Sequence, residues 1–268
     1  MNVFEGTSFS ETYIKLIKEL MKCKYMKSPR GQKVSYLQNC LFVVKNPGDV
    51  FSCPSREYPF KYLNNELKLY FSGDCSADSF AKASKFWKQL ANPDGNINSN
   101  YGYLCFYKPI ETKFGNIKNQ WTYAKQQLIK DKDTRQALMF ISSPYVQFEG
   151  NKDFICTLNY TFNINDNILS LTVNRRSQDM YFGLPHDVNY ENCLLLKMCN
   201  ELQEYYPELC PGSYTMFCNN AHIYERNFEV FNNMIKDYDN NNYQKLDLIN
   251  NIDSEILDKY VFNKEFGN

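Results

Sequence analysis

The sequence predicts an α+β fold, and three observations predict it. Stretches with apolar residues every third or fourth position are mixed irregularly with stretches that alternate every second position. That lacks the regular strand–helix succession of a parallel α/β domain. Asn165-Asp166-Asn167 lies between two alternating runs, the mark of an antiparallel hairpin. No internal repeat appears. At 268 residues the chain is long enough for a well-buried core, and residues 1–268 read as a single domain.

Residues 10 to 22 carry Tyr13, Ile14, Ile17, Leu20 and Met21 at helical spacing, and Ser28-Pro29-Arg30-Gly31 ends that helix with a turn. Leu41-Phe42-Val43-Val44 reads as a buried strand. A second helix from Pro59 to Phe71 carries Leu63, Leu67 and Tyr70, with Glu66 among them, and stops at Ser72-Gly73-Asp74. A third covers Asp78 to Leu90 and includes Trp87. A polar loop, Asn92 to Asn100, then leads into Tyr101-Gly102-Tyr103. Ile117, Trp121, Ala124 and Leu128 mark a helix from Ile117 to Lys130, and Ala137 to Ile141 is a strand after Asp133-Thr134-Arg135-Gln136.

Phe154, Cys156, Leu158, Tyr160 and Phe162 alternate strictly, which puts Cys156 on one face with four large apolar groups. The return strand is Ile168 to Val173. Val188 to Tyr205 is a helix with Leu195, Met198 and Leu202 inward. Tyr214 to Phe217 is a strand leading through Cys218 to His222 and Tyr224. After residue 236 the chain is polar, with one short helix near Glu255.

Thirty basic and thirty acidic side chains cancel, against a general nucleic-acid binder. No run of 18 apolar residues predicts a membrane span, and the first residues lack the pattern of a signal peptide, so a cytoplasmic protein is expected. Ten cysteines without a CxxC pair and only two histidines give neither a disulfide framework nor zinc spacing, so no metal is expected. Most of the thiols should be small core residues.

Chemistry concentrates between Arg175 and Asp187, which holds two guanidiniums, a hydroxyl, two carboxylates and an imidazole around a Gly-Leu-Pro turn. Cys156 stands twenty positions before Arg176, and the hairpin would bring the two into one neighbourhood, where a thiol ionises more readily. Taken alone, Cys156 on an apolar face reads as core. Glu66 on the buried side of a helix must be paired or functional. Arg30, Arg135, Arg175 and Arg176 are either surface charge or a converging phosphate site. His222-Ile223-Tyr224 can turn both polar tips to one cleft or bond to backbone, and Trp87 by itself reads as packing.

The joint spacing resembles the thymidylate synthase family. Its Arg-Ser-x-Asp-x-x-x-Gly-x-Pro-Phe-Asn motif reads here Arg176-Ser177-Gln178-Asp179-Met180-Tyr181-Phe182-Gly183-Leu184-Pro185-His186-Asp187. The family's nucleophilic cysteine falls where Cys156 stands, and its His-x-Tyr is matched by His222-Ile223-Tyr224. Its Glu-Leu-x-x-Phe-x-x-Gly-Asp is similar to Glu66 through Gly73-Asp74, followed by Trp87 and Tyr101-Gly102, and its early phosphate arginine is similar to Arg30. The resemblance covers residues 10 to about 228, with 229–268 divergent. It implies a mixed, largely antiparallel sheet packed with helices, and a homodimer through the sheet face.

Departures point to the substrate. The asparagine that reads uracil in synthases is Asp187 here, and a carboxylate accepts from the 4-amino group of cytosine where an amide would suit uracil. His186 replaces phenylalanine and could tune a proton on the ring. By resemblance this is the dCMP hydroxymethylase branch, from viruses that modify their DNA precursors. Pro-Cys-His becomes Ile155-Cys156-Thr157, and the arginine pair lent by the partner subunit becomes Arg135-Gln136, for which Arg175, where glutamine is usual, offers a replacement guanidinium. The family's apolar closing tail is absent, which favours water over hydride in the last step.

The resemblance implies catalysis by Cys156, Glu66, Tyr101 and Asp187. Substrate would be bound by Arg30, Arg135, Arg176, Ser177, His186, His222 and Tyr224, and 5,10-methylenetetrahydrofolate by Trp87, Asp179 and Gly183. Other readings are methyl transfer with hydride from folate, or an inactive structural or RNA-binding family member.

Overall fold

The computed structural model describes residues 1–23, 25–27 and 31–268. The turn expected at Ser28-Pro29-Arg30 therefore lies outside the described residues. In chain order the elements are β1 (Asn2–Ser8), α1 (Phe9–Leu20), β2 (Tyr25–Lys27), β3 (Lys33–Asn46), β4 (Asp49–Ser52), α2 (Phe60–Ser72) and α3 (Ala77–Phe80). Next come β5 (Ile110–Thr112), β6 (Gly115–Ile117), α4 (Gln120–Lys130), β7 (Leu138–Phe140), β8 (Thr157–Asn165), β9 (Ile168–Arg175) and β10 (Gln178–Asp179). The chain continues through α5 (Leu184–Leu202), β11 (Cys210–Tyr224), α6 (Phe228–Asp239), β12 (Gln244–Asp247) and α7 (Ser254–Ile256). This is the expected α+β class, with parallel and antiparallel strands in a mixed sheet packed with helices.

Two compact units divide the chain: residues 1–59, 171–193 and 212–251 form one, and residues 60–170, 194–211 and 252–268 the other. Among the described residues no helix is long and apolar enough to cross a membrane.

In the first unit β3 runs parallel to β1, with Phe4 opposite Phe42, and antiparallel to β11, with His222 opposite Tyr36. Short β10 lies parallel to β11 and sets Asp179 opposite His222. Helix α1 buries Phe9, Tyr13, Ile14, Leu16, Ile17 and Leu20, each contributing about 1.5–3 kcal/mol by leaving water. Its first turn is satisfied by Ser8, which accepts from Glu11 N, and by Asp49, which accepts from the Phe9 and Ser10 amides. The strand at 41–44 differs from expectation: only Phe42 and Val44 are buried, because β3 is one long alternating strand rather than a fully enclosed one. The stretch that reads as merely polar holds the end of helix α6, which buries Phe231 and Met234 before it, and strand β12, which pairs with β4. β12 buries little, so its sequence carries no alternation to detect.

In the second unit α2 buries Leu63, Leu67, Tyr70 and Phe71. The helix expected over Asp78–Leu90 is instead α3 and a 3-10 turn, Lys85–Leu90, separated by residues 81–84. Ser84 is extended, at φ −153° and ψ 129°, and its hydroxyl caps the Phe86 amide, a competition that serine wins locally. Residues 101 and 102 open a helical turn that continues as Tyr103–Tyr107. α4 starts at Gln120 because the Asn119 side chain accepts from Thr122 N at 2.8 Å, while Ile117 closes the β5–β6 hairpin. Trp121, Ala124 and Leu128 are buried as expected.

β8 pairs antiparallel with β7. Its hairpin turn has positive φ at both Asp166 (46°) and Asn167 (61°), the twist that suits a two-residue connection. The strict alternation expected from Phe154 to Phe162 fails at its start. Tyr160 and Phe162 are buried, but Phe154 and Leu158 are exposed, and Cys156 precedes the strand. The amides of Ile141 and Ser142 both donate to the Leu158 carbonyl, at 2.9 and 3.2 Å, a bulge that breaks the pleat there. α5 begins at Leu184 rather than Val188, since Pro185 needs no amide donor in a first helical turn.

Candidate active site

The end of β9, β10 and the start of α5 bring together most of the residues from Arg175 to Asp187 within the first unit. Gly183 makes the reversal possible: a Cβ there would fall 2.5 Å from Gln178 Nε2 and 2.8 Å from the Asp179 carbonyl. Its carbonyl accepts from the His186 and Asp187 amides, both at 3.0 Å, and so starts α5. Asp187 thus stands in the first turn of a 19-residue helix, where the helix dipole favours negative charge.

One oxygen of Asp187, Oδ2, accepts from Arg175 Nη1 at 3.0 Å and Gln178 Nε2 at 2.8 Å. The other arm of Arg175, Nη2, is paired with Glu191, and Tyr214 donates to Glu191 Oε2 at 2.7 Å. Burial and the adjoining Glu191 hold the Tyr214 phenol well above its ordinary pKa, so it remains a donor. Arg175 is 1% exposed and committed to two carboxylates. It does not stand as the replacement phosphate guanidinium that the sequence suggested.

His186 is buried against Tyr58, whose hydroxyl lies 2.9 Å from Nδ1. Burial first, and then the charge of Arg56, lowers its pKa to about 3. It is a neutral ring at ordinary pH, and any tuning by it acts through hydrogen bonding rather than charge. Asn189 also donates to Tyr58 Oη at 2.7 Å, which steadies the same corner.

Ser177 Oγ lies 3.4 Å from His222 Nδ1, and His222 packs edge-on against Tyr224 at 5.2 Å between centroids. Arg226 covers the Tyr224 ring at 4.4 Å. Asp179 accepts from Tyr181 N at 2.8 Å, and burial raises its pKa despite the nearby His222 and Arg226. Arg176, between β9 and β10, is half-buried. Arg30 lies outside the described residues.

The second unit holds the rest. Glu66, 5% exposed on α2, accepts from Tyr62 Oη at 2.7 Å, so the buried carboxylate has a donor one helical turn away. Tyr101 is buried with its ring 5.5 Å from that of Tyr70. Gly102 allows this approach, since a Cβ would come within 1.8 Å of the Tyr70 carbonyl. Trp87 packs edge-on against Phe80 at 5.1 Å, and its buried indole N–H finds no acceptor. Arg135 is exposed at a bend after α4.

None of the ten cysteines is in a disulfide; six are buried, in keeping with a mainly structural set of thiols, while Cys156 is half-buried. Among the described residues no group of three or more His, Cys, Asp or Glu could hold a metal.

Sequence reasoning missed Gln178, Glu191, Tyr58 and Asn189. Glu191 carried a signal, four positions after Asp187 on one helix face. Tyr58 lies too far away in sequence to announce itself.

The chain is 30% identical over 175 residues to deoxycytidylate 5-hydroxymethyltransferase of Enterobacteria phage T6, covering 63% of this chain and 68% of that protein. It is 24% identical over 190 residues to deoxyuridylate hydroxymethyltransferase of Bacillus phage SP01, covering 68% and 49% of the two chains. To thymidylate synthase of Bacillus licheniformis it is 30% identical over 150 residues, covering 56% and 51%. The family model described as thymidylate synthase matches residues 11–264, nearly the full chain, and the protein belongs to the thymidylate synthase family, whose enzymes transfer one-carbon units to C5 of pyrimidine nucleotides.

Proposed function

We propose that this protein is a deoxycytidylate 5-hydroxymethyltransferase, converting dCMP, water and 5,10-methylenetetrahydrofolate to 5-hydroxymethyl-dCMP and tetrahydrofolate. The observation that carries the reading is Asp187, a carboxylate where the family motif leads one to expect a uracil-reading asparagine. With Oδ2 occupied by two donors, Oδ1 remains to accept from a ligand, and the 4-amino group of cytosine is such a donor. The relatives named as deoxycytidylate 5-hydroxymethyltransferases support the same substrate.

In this reading Cys156 thiolate bonds to C6 of dCMP and makes C5 nucleophilic. The proposal that it works beside Arg176 rests on the hairpin spacing. Asp187 favours charge developing on N3 and N4. Arg30, Arg176 and Ser177 hold the phosphate together with Arg135 from a second copy of the chain. His222 and Tyr224 hold the deoxyribose 3′-hydroxyl, while neutral His186 lines the base side. Glu66 and Tyr101 move protons through ordered water. Asp179, Gly183 and Trp87 would hold the folate. The folate supplies the carbon that becomes the hydroxymethyl group.

The exposed position of Arg135 suits a contact lent across a homodimer, through the sheet face. We take residues 1–268 as one catalytic domain acting in the cytoplasm.

The test is release of tritium from C5-labelled dCMP by the purified protein. Release that requires methylenetetrahydrofolate and exceeds that from labelled dUMP supports the reading. Release from dUMP alone would overturn the cytosine assignment, and release from neither would favour an inactive family member.

A further inference from the structure

We propose that Arg175 and Gln178 are positioning residues that set base preference by fixing the rotamer of Asp187. The inference rests on the reading of Asp187 as the group that meets position 4 of the pyrimidine. Both residues aim at one atom, Oδ2, at 3.0 and 2.8 Å, so the carboxylate is anchored at one oxygen and cannot turn without breaking two bonds. The Asp187 side chain is 16% exposed while that of Arg175 is at 0%. The anchor is therefore on the protein side, and the accessible edge belongs to Asp187.

Gln178 is held in turn. It is 2% exposed, and its Oε1 is buried with no partner. Flipping the amide would bring Oε1 against the Asp187 carboxylate, acceptor to acceptor, so the donor orientation is the one that persists. Gly183 leaves the room this requires, because any Cβ there would strike Gln178 Nε2.

Charge points the same way. By formal charge Arg175 balances one of its two carboxylate partners, Asp187 and Glu191, leaving one negative charge in excess. Excess negative charge with little solvent welcomes a donor or a protonated ring nitrogen and repels the O4 lone pairs of uracil.

The experiment compares kcat/KM for dCMP and for dUMP, with thermal midpoints, in the full-length protein and two variants. Gln178→Met removes one donor at similar volume. The double variant Arg175→Gln with Glu191→Gln removes both fully buried charges together and leaves the formal charge of the cluster unchanged, so that only the partly exposed Asp187 loses its cation. The expected result is that the preference for dCMP over dUMP falls about tenfold in Gln178→Met and at least as far in the double variant. Equal losses on both substrates, whatever the midpoints, would mean that these residues only support the fold and would overturn the inference. A wild-type protein that does not prefer dCMP would instead overturn the reading of Asp187 on which it rests.

Discussion

Arg175, the last residue of β9, and Asp187, in the first turn of α5, are joined by a 3.0 Å hydrogen bond across 12 residues of sequence. Strand end and helix start are thereby tied at the residue we propose meets the pyrimidine base. The bond makes Asp187 a fixed acceptor rather than a mobile surface carboxylate.

Asp187→Asn should reverse base preference. An amide offers a donor and an acceptor, which suits uracil, whereas the carboxylate only accepts. The expected change is at least about tenfold in the ratio of kcat/KM for dUMP to that for dCMP, read from steady-state kinetics on both nucleotides.

Cys156→Ala should abolish turnover while dCMP binding persists, because in the proposed mechanism the thiol forms the bond to C6 but does not hold phosphate or sugar. Calorimetric titration with dCMP checks the binding, and C5 tritium release checks the chemistry.

His186 gives the fold a pH dependence. Burial lowers its pKa from 6.5 to about 3, so the folded chain refuses a proton that the unfolded chain accepts. Its contribution is fully present above pH 6.5 and is lost as pH falls toward 3. About 2 kcal/mol should disappear between pH 6.5 and about 5, at 1.36 kcal/mol per unit. His186→Phe should remove that slope in urea unfolding measured at both pH values. Tyr58 keeps its bonds to Pro185 O and Asn189 in that variant.

Gly102→Ala should destabilise by about 3 kcal/mol, since its Cβ would fall 1.8 Å from the Tyr70 carbonyl and backbone must move. Unfolding midpoints of the variant and of a surface control, Gly115→Ala, measure the difference beyond the strain that positive φ adds at Gly115.

Local signals made much of this molecule legible. Spacing revealed α1, α2 and the buried face of α4, and Asp166-Asn167 announced the hairpin turn, because each pattern reflects contacts made within a few residues. The ordered motif from Arg176 to Asp187 carried the family. What stayed hidden depends on partners far away in sequence or on competition between local states. Ser84 splits a helix that periodicity alone would continue. A bulge at Leu158 changes which β8 side chains are covered. Arg175 reads as surface charge or as a phosphate-site guanidinium until Glu191 and Asp187 are seen to enclose it. Tyr58, which steadies His186, is separated from it by 128 residues.

The most direct measurement is mass spectrometry of the nucleotide product formed from dCMP and dUMP in competition, with methylenetetrahydrofolate and the purified protein. A hydroxymethylated cytosine nucleotide, with dUMP left unmodified, is the expected result and ties Asp187 to the base and water to the last step. A modified uracil nucleotide would contradict the account of Asp187, and methylated cytosine would contradict the water step.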